Sequence, residues 1–447
     1  LETREAAERL LDLIGRSDVD EGEVYVSKSE GLEISLRDQA VERLRNKAES
    51  GYGLRLIKDS RMAFVHSSDF AEDSLRRTVE KGADLARAVA PDPSNVLPGP
   101  SETTVSVDTY DPAFDEIDFD RKVSLLRDLE TLAFAYDPDI SKMEYLGYQD
   151  SKGETVVANT RGVFRQGRAT SFSFWLSVVA EHDGDVETGG ESSRSTRFED
   201  LDLPSEVTKR ACSEALALLG GGPVKTQTCP VIFDPDTGEA LLAHLFAMVR
   251  GDNVAQGLSL LKGRIGERIG SDLVTVIDDA TLPRGVASRN FDAEGVPSQR
   301  NVVVDGGVLR SFLYDTRAAV KMGTKSTGNA SRGGFRDLPG VGNTNLFLNA
   351  GEVAPDTIIK TTDRGLWLRS LAGWWVGISP STGDFSSGAK GLWVENGEVV
   401  HAVRNVTIAS NVLEMLAGVN AVGDDLRFDR DTATPTFRIG EMMVGGV

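Results

Sequence analysis

At 447 residues, with 40% hydrophobic and 26% charged side chains, the chain can bury more than one core, and wholesale disorder is excluded. A formal net charge of -20 argues against nucleic acid and anionic membrane as direct partners, since either would require a basic face. Two cysteines, Cys212 and Cys229, are too few for a disulfide framework or a Cys-rich zinc site and point to the cytoplasm.

The N-terminal stretch LETREAAERLLDLIGR reads as a charged amphipathic helix without the apolar core or cleavage site of a signal peptide. Behind it, Val24 and Val26, then Leu32, Ile34 and Leu36, sit two apart, the period of a half-buried strand. A turn is expected at Gly31, then further strands and a helix in AEDSLRRTVEKGADLARAV. The same order recurs after the Pro-rich loop Ala90–Pro100: a helix at Asp120–Ala135, the strand segment Glu144–Gln166 with a turn expected at Gly153, and a helix in PSEVTKRACSEALALLGG. Residues 1–222 therefore read as an α+β domain built by internal duplication, about 1–100 and 112–222. The alternative is two chance runs of the same pattern.

Three glycines before PVKTQTCPVIFDP suggest a boundary near Gly222. From 223 to 447 the chain is β-rich, with candidate strands in LVTVIDD, NVVVDGGVLRSFLYD, TIIKTTDRGLWLRSL, GLWVENGEVVHAVRNVTI and FRIGEMMVGG. Hairpin turns are expected at Asp305-Gly306-Gly307 and at Asn396-Gly397. This half is expected to form a mostly antiparallel sheet or barrel-like domain. Its longest apolar run, ALLAHLFAMV, is about half of the ~20 residues a membrane span needs.

The four histidines, His66, His182, His244 and His401, are too far apart for any pair to share a helical face as zinc ligands. MGTKST lacks the leading glycine of a phosphate loop, and GGFRDLPGVGN follows no strand–helix dinucleotide pattern. PDTGEALLAHLFAMVRGD reads as a helix, with Asp236 and Glu239 at capping-box spacing and Gly251 as its stop. Leu241 and Met248 flank His244 on one face, so an isolated histidine there is expected to be a core or interface residue.

Three long segments resemble the TldD/PmbA family: RNFDAEGVPSQRNVVVDGGVLRSFLYDTRAAVKMGTKSTGNASR, GVGNTNLFLNAG and TGDFSSGAKGLWVENGEVVHAVRNVTIASN. The last looks like the form found in the TldE (PmbA) branch. The resemblance implies a heterodimeric zinc metalloprotease acting on unfolded peptides, whose TldD-type subunit carries a HExxxH helix and a later Cys ligand. Here the first histidine of that motif falls on His244, but its glutamate position is Leu245 and its second histidine position is Val249. No cysteine follows Cys229. Zinc needs three protein ligands and a base for its water, so this chain is expected to bind no metal and to have no catalytic residue of its own. Zinc is expected in a TldD-like, HExxxH-bearing partner.

Unfolded peptide is the expected substrate of the pair, for maturation or degradation, and a homodimer is the arrangement left to this chain in isolation. Asn343 and Asn345, with Asp384, Ser387 and Gly388, are the peptide-binding or interface candidates, against the plainer reading that they serve tight turns. Two rivals stand beside this reading. One is an autonomous hydrolase with a metal site assembled from His182, His401 and scattered carboxylates. The other is a non-enzymatic binding or regulatory protein.

Overall fold

The structure is a computed structural model and describes residues 2–447. Helix α1 (Thr3–Gly15) is followed by an antiparallel meander of β1 (Glu21–Arg37), β2 (Ala40–Lys58) and β3 (Arg61–Ser67), and then by α2 (Glu72–Ala88). The same order follows again: α3 (Phe119–Tyr136), β4 (Ile140–Asn159), β5 (Phe164–His182), β6 (Asp185–Ser195) and α4 (Pro204–Leu218). All six strands join one sheet, ordered β3-β2-β1-β4-β5-β6, and the two meanders meet at the antiparallel β1–β4 pair.

Period-two alternation divides the faces of this sheet. Val24, Val26, Tyr148, Phe172 and Phe174 turn to one side and are buried under the four helices. Tyr25, Ser29, Ser151 and Thr155 turn to the other, toward the second half of the chain. Gly31 and Gly153 are not turns, as the sequence had suggested. They lie inside β1 and β4, where Gly31 pairs with Ser151 and Gly153 with Ser29. A Cβ on Gly31 would stand 2.3 Å from the Asp150 carbonyl oxygen, so this glycine permits close strand approach. The first turn falls instead at Asp38 and Gln39, both with positive φ.

The second half opens with β7 (Gln227–Phe233), α5 (Pro235–Val249) and α6 (Gly251–Gln256). Next come β8 (Val276–Asp279), β9 (Arg300–Asp305), β10 (Val308–Leu309), α7 (Thr316–Lys321), β11 (Ala330–Ser331), β12 (Gly340–Val341) and β13 (Leu346–Leu348). After α8 (Pro355–Lys360), the long strands β14 (Arg364–Ala372), β15 (Asp384–Glu395) and β16 (Glu398–Asn411) run consecutively. Helix α9 (Val412–Gly418), β17 (Val419–Val422), β18 (Thr432–Ala433) and β19 (Phe437–Gly445) complete the fold.

A sheet ordered β16-β15-β14-β7-β19-β17 closes into a barrel through additional β16–β19 pairing. A five-stranded sheet, β10-β9-β8-β13-β18, lies on the other side of α5, and one continuous core joins barrel, helix and sheet. The fold is thus α+β, a helix-backed sheet followed by a β-rich barrel half. Asn396 and Gly397 have φ of 53° and 78°, as a type I′ hairpin requires. The Thr357–Lys360 part of TIIKTTDRGLWLRSL is not strand. Pro355 starts a short helix there, and β14 begins only at Arg364.

The joint between the halves is ionic and buried. Glu23 on β1 accepts from Arg55 on β2 (Nε–Oε1 3.0 Å) and from Arg332 of the second half (2.7 Å). Arg55 also reaches Glu294 at 2.8 Å. Burial alone would raise the Glu23 carboxyl, but the two guanidinium groups outweigh it and hold it below the usual carboxylate range. Beside this network Phe335 lies on Gly51 and Gly53, and a Cβ on Gly53 would come within 2.3 Å of its carbonyl oxygen.

Removing one member of such a buried cluster strands the others. Glu23→Gln is expected to cost about 3–5 kcal/mol at neutral pH, read from urea unfolding. Because the folded carboxyl titrates below its unfolded value, its contribution is complete above the ordinary Glu range. It is lost as pH falls through the depressed folded value, so the gap between wild type and variant should narrow in acid. A gap that is negligible at pH 7 would show that the joint does not depend on this residue.

Candidate functional site

Helix α5 begins at Asp234, two residues before the cap expected from the sequence. The Asp234 carboxylate accepts from the Thr237 N–H at 2.9 Å, and the Thr237 hydroxyl accepts from the Asp234 N–H at 3.0 Å. Pro235 occupies the first helical position, where its missing N–H is harmless and its φ is preset, so Asp236 and Glu239 fall inside the helix. The helix does end before Gly251, but that glycine starts α6 rather than forming a left-handed stop. Its lack of a side chain accommodates Tyr314, whose ring lies 2.1 Å from where a Cβ would be.

His244 is buried on α5, its Nδ1 bonded to the Ala240 carbonyl oxygen at 2.8 Å. A carbonyl only accepts, so Nδ1 carries the proton. The ring packs against Phe385 and Trp374, with centroids at 5.0 and 6.4 Å. Burial lowers its pKa, against the opposing effect of the Ala240 bond, and favours neutral imidazole. Leu245 and Val249 are 1% and 0% exposed, and both belong to the core shared by barrel and second sheet.

A zinc ion does not fit these residues: one imidazole nitrogen is engaged, and the two neighbouring motif positions are apolar. Among the described residues, no three His, Cys, Asp or Glu side chains are grouped so as to hold a metal ion. His182 stands exposed at the end of β5, 3.0 Å from Asp139, while His401 lies on β16 beside Trp393. Cys212 and Cys229 are buried free thiols, and burial pushes both up to about 11.

The remaining candidates divide between two places. Asp384, Ser387 and Gly388 lie on β15, with Gly388 opposite Ala372 at the end of β14 and the Ser387 hydroxyl donating to the Ala372 carbonyl at 3.2 Å. β14 pairs with β7 only over Leu366–Leu368, so Ser370–Ala372 are laddered to β15 alone. Asn343 and Asn345 belong with the other sheet. The Asn343 amide donates to Thr344 and Asp431 carbonyls, while the fully buried Asn345 ties Asp279, Ser288 and Ala287 together.

Two features had no clear sequence signal. After β14 the chain turns through Gly373, with Trp374 inward on His244 and Trp375 and Val376 outward, 61% and 71% exposed. Exposed Leu258 and Leu260 lie beside this segment, and the Leu260 N–H donates to the Pro380 carbonyl at 2.9 Å. The adjacent pair Trp374-Trp375 was the available hint. The second feature is a cleft of about 410 Å³ between the open face of the first sheet and residues 286–293. It is assembled from segments more than a hundred residues apart.

Three family models cover most of the chain: PmbA/TldA metallopeptidase domain 1 at residues 22–86, the central domain at 112–219 and the C-terminal domain at 226–446. The metalloprotease PmbA of Escherichia coli O157:H7 is 29% identical over 99% of this chain and 96% of its own length. Among solved structures, a proposed modulator of a DNA gyrase from Thermotoga maritima superposes with a TM-score of 0.89 at 25% identity, covering 99% of each chain. TldE from Thermococcus kodakarensis gives 0.88 at 24% identity, over 99% of this chain and 100% of that one. With the fold and all three domain models in agreement, the chain belongs to the PmbA/TldD metallopeptidase family.

Proposed function

We infer that this chain is the TldE/PmbA-type, non-catalytic subunit of a two-subunit zinc metalloprotease for unfolded peptides, working in the cytoplasm. The observation that carries this reading is the state of α5. Leu245 and Val249 fill the core where a base and a ligand would be needed, and the His244 Nδ1–H is committed to its own helix. The metal and its activated water then come from a HExxxH-bearing partner.

This chain contributes surface. The half-open edge at Ser370–Ala372 can take an extended peptide by strand addition, which reads backbone and tolerates varied side chains. Asp384, Ser387 and Gly388 flank that edge on β15, and Asn343 and Asn345 shape the loop on the far side of α5. The exposed Trp375 and Val376, with Leu258 and Leu260, form the apolar contact for the partner.

Protein purified without a metal-affinity tag should contain no stoichiometric zinc by elemental analysis; one zinc per chain at His244 would refute the assignment. Casein incubated with this chain alone should remain intact. Hydrolysis should appear when the HExxxH-bearing partner is added, cease with a chelator, and survive His244→Ala in this chain. Cleavage by this chain alone, or loss of the mixture's activity in His244→Ala, would overturn the non-catalytic role. Trp375→Ser should weaken association with the partner by about tenfold or more in a sedimentation or titration assay, as truncation of a buried interface tryptophan does. Unchanged affinity would move the interface elsewhere.

A further inference from the structure

The cleft between the two halves is basic although the chain carries a net charge of -20. Five cationic residues border it, Lys152, Arg168, Arg194, Arg289 and Arg332, and Asp292 is the one acidic residue in its lining. Two of the cations are already neutralised: Lys152 by Asp115 and Glu30, at 2.5 and 2.8 Å, and Arg332 by Glu23. The other three form no ion pair with any carboxylate among the described residues. Arg168 alternates with Gly167 and Ala169, so its side chain leaves the cleft face and stacks on Tyr110 at 3.9 Å, whereas Arg194 is exposed at the cleft's side.

Arg289 is the deepest of them. Its Nη2 donates to the Gly328 carbonyl at 3.1 Å, while its Nε is buried without a partner. Burial lowers its pKa, against the pull of Asp292 and Asp278, yet a guanidinium remains charged at any physiological pH. Asp292 does not pair with it. Both carboxylate oxygens are taken by backbone N–H groups, of Glu294 (2.8 Å), Val296 (3.0 Å) and Ala330 (3.1 Å). Burial and the neighbouring Glu294 push the Asp292 carboxyl up, against the pull of Arg289. A buried guanidinium with one donor unpartnered and no carboxylate in direct contact is an incomplete interaction.

The wall opposite Arg289 is built to admit chain. Ser29, Ser151, Gly153, Gly167, Ala169 and Ser171 present small side chains or none to the cleft from three adjacent strands. The volume is that of a small-ligand site, and the fork of a guanidinium matches a carboxylate in shape. We propose that this cleft is an oxyanion site in which Arg289, assisted by Arg194, binds a carboxylate of a peptide, from either its C-terminus or an Asp or Glu side chain. The peptide as carrier of that carboxylate rests on the function proposed above. Two free cations in one cleft of an acidic chain do not make a nucleic-acid face.

The test uses the full chain and an eight-residue Gly/Ser peptide with an uncharged fluorophore on its N-terminus, read by anisotropy at low salt. Three forms are compared: a free C-terminal carboxylate, a C-terminal amide, and the amide with one internal Glu. At least one carboxylate form should bind about tenfold or more tighter than the neutral amide, as charge-assisted hydrogen bonds predict. Which of the two does so identifies the source. Arg289→Gln should bring that form to the level of the amide, and Arg289→Lys should keep part of the difference. Arg194→Gln, at an exposed side chain that folding does not need, should reduce it. Equal binding of all three peptides, or an unchanged ratio in both Gln variants, overturns the site. Inorganic phosphate supplies a separate arm. If it raises the melting temperature of the native chain but not of Arg289→Gln while no peptide binds, the oxyanion site stands and the peptide reading falls. If neither phosphate nor peptide binds, the site is wrong.

Discussion

Everything on the inner face of the first sheet depends on one buried carboxylate. Glu23 sits in β1 between two guanidinium groups, Arg55 from the next strand and Arg332 from the far half of the chain. A carboxylate so placed is stable only while both arginines stay, and Arg55 in turn holds Glu294. The four charges therefore fix the loop that carries Asp292 and Glu294 against the sheet, and with it the floor of the cleft. Phe335 completes the joint by lying where Gly51 and Gly53 have no side chains. A pre-set wall and floor is what a site for extended, variable ligands requires, since little then remains to be ordered on binding.

The α5 helix shows a different constraint. A helix between two sheets must be apolar nearly all round, and Ala240, Leu241, Leu242, Leu245, Met248 and Val249 make it so. Metal ligation would demand polar groups and water at two of those same positions. One helix cannot serve both purposes on one face, and here packing has taken the face. His244 fits because its proton goes to Ala240, leaving an aromatic-sized ring to pack on Phe385.

Much of this was legible beforehand. Two-residue alternation in β1 and the repeated order of elements are local signals, as is the Asn396-Gly397 turn, and each reappears in the structure. The errors were local as well. Gly31 and Gly153 resemble turns because glycine breaks strands more often than it spaces them; at Gly31 the actual reason is the backbone of the neighbouring strand, while Gly153 has no such close neighbour. The cap of α5 was misplaced because Asp236 offers the right spacing and only the fixed φ of Pro235 selects Asp234. Within the candidate site, the loss at Leu245 and Val249 needed only the motif. The cleft could not be read at all, because Ser29, Ser151, Arg289 and Arg332 are ordinary residues until the topology brings them together.

Closure of the barrel has a consequence for how the chain acquires its shape. In the first sheet, four of the five strand pairings join neighbours in sequence, so most of it assembles from hairpins. β7 has no such neighbour: its partners are β14, from residue 364, and β19, from residue 437. During synthesis Val231 and Phe233 emerge long before their strand partners, and the loop that must close spans some two hundred residues. The late strand β19 closes the barrel, pairing at once with β7, β16 and β17 and covering an edge that would otherwise stand open.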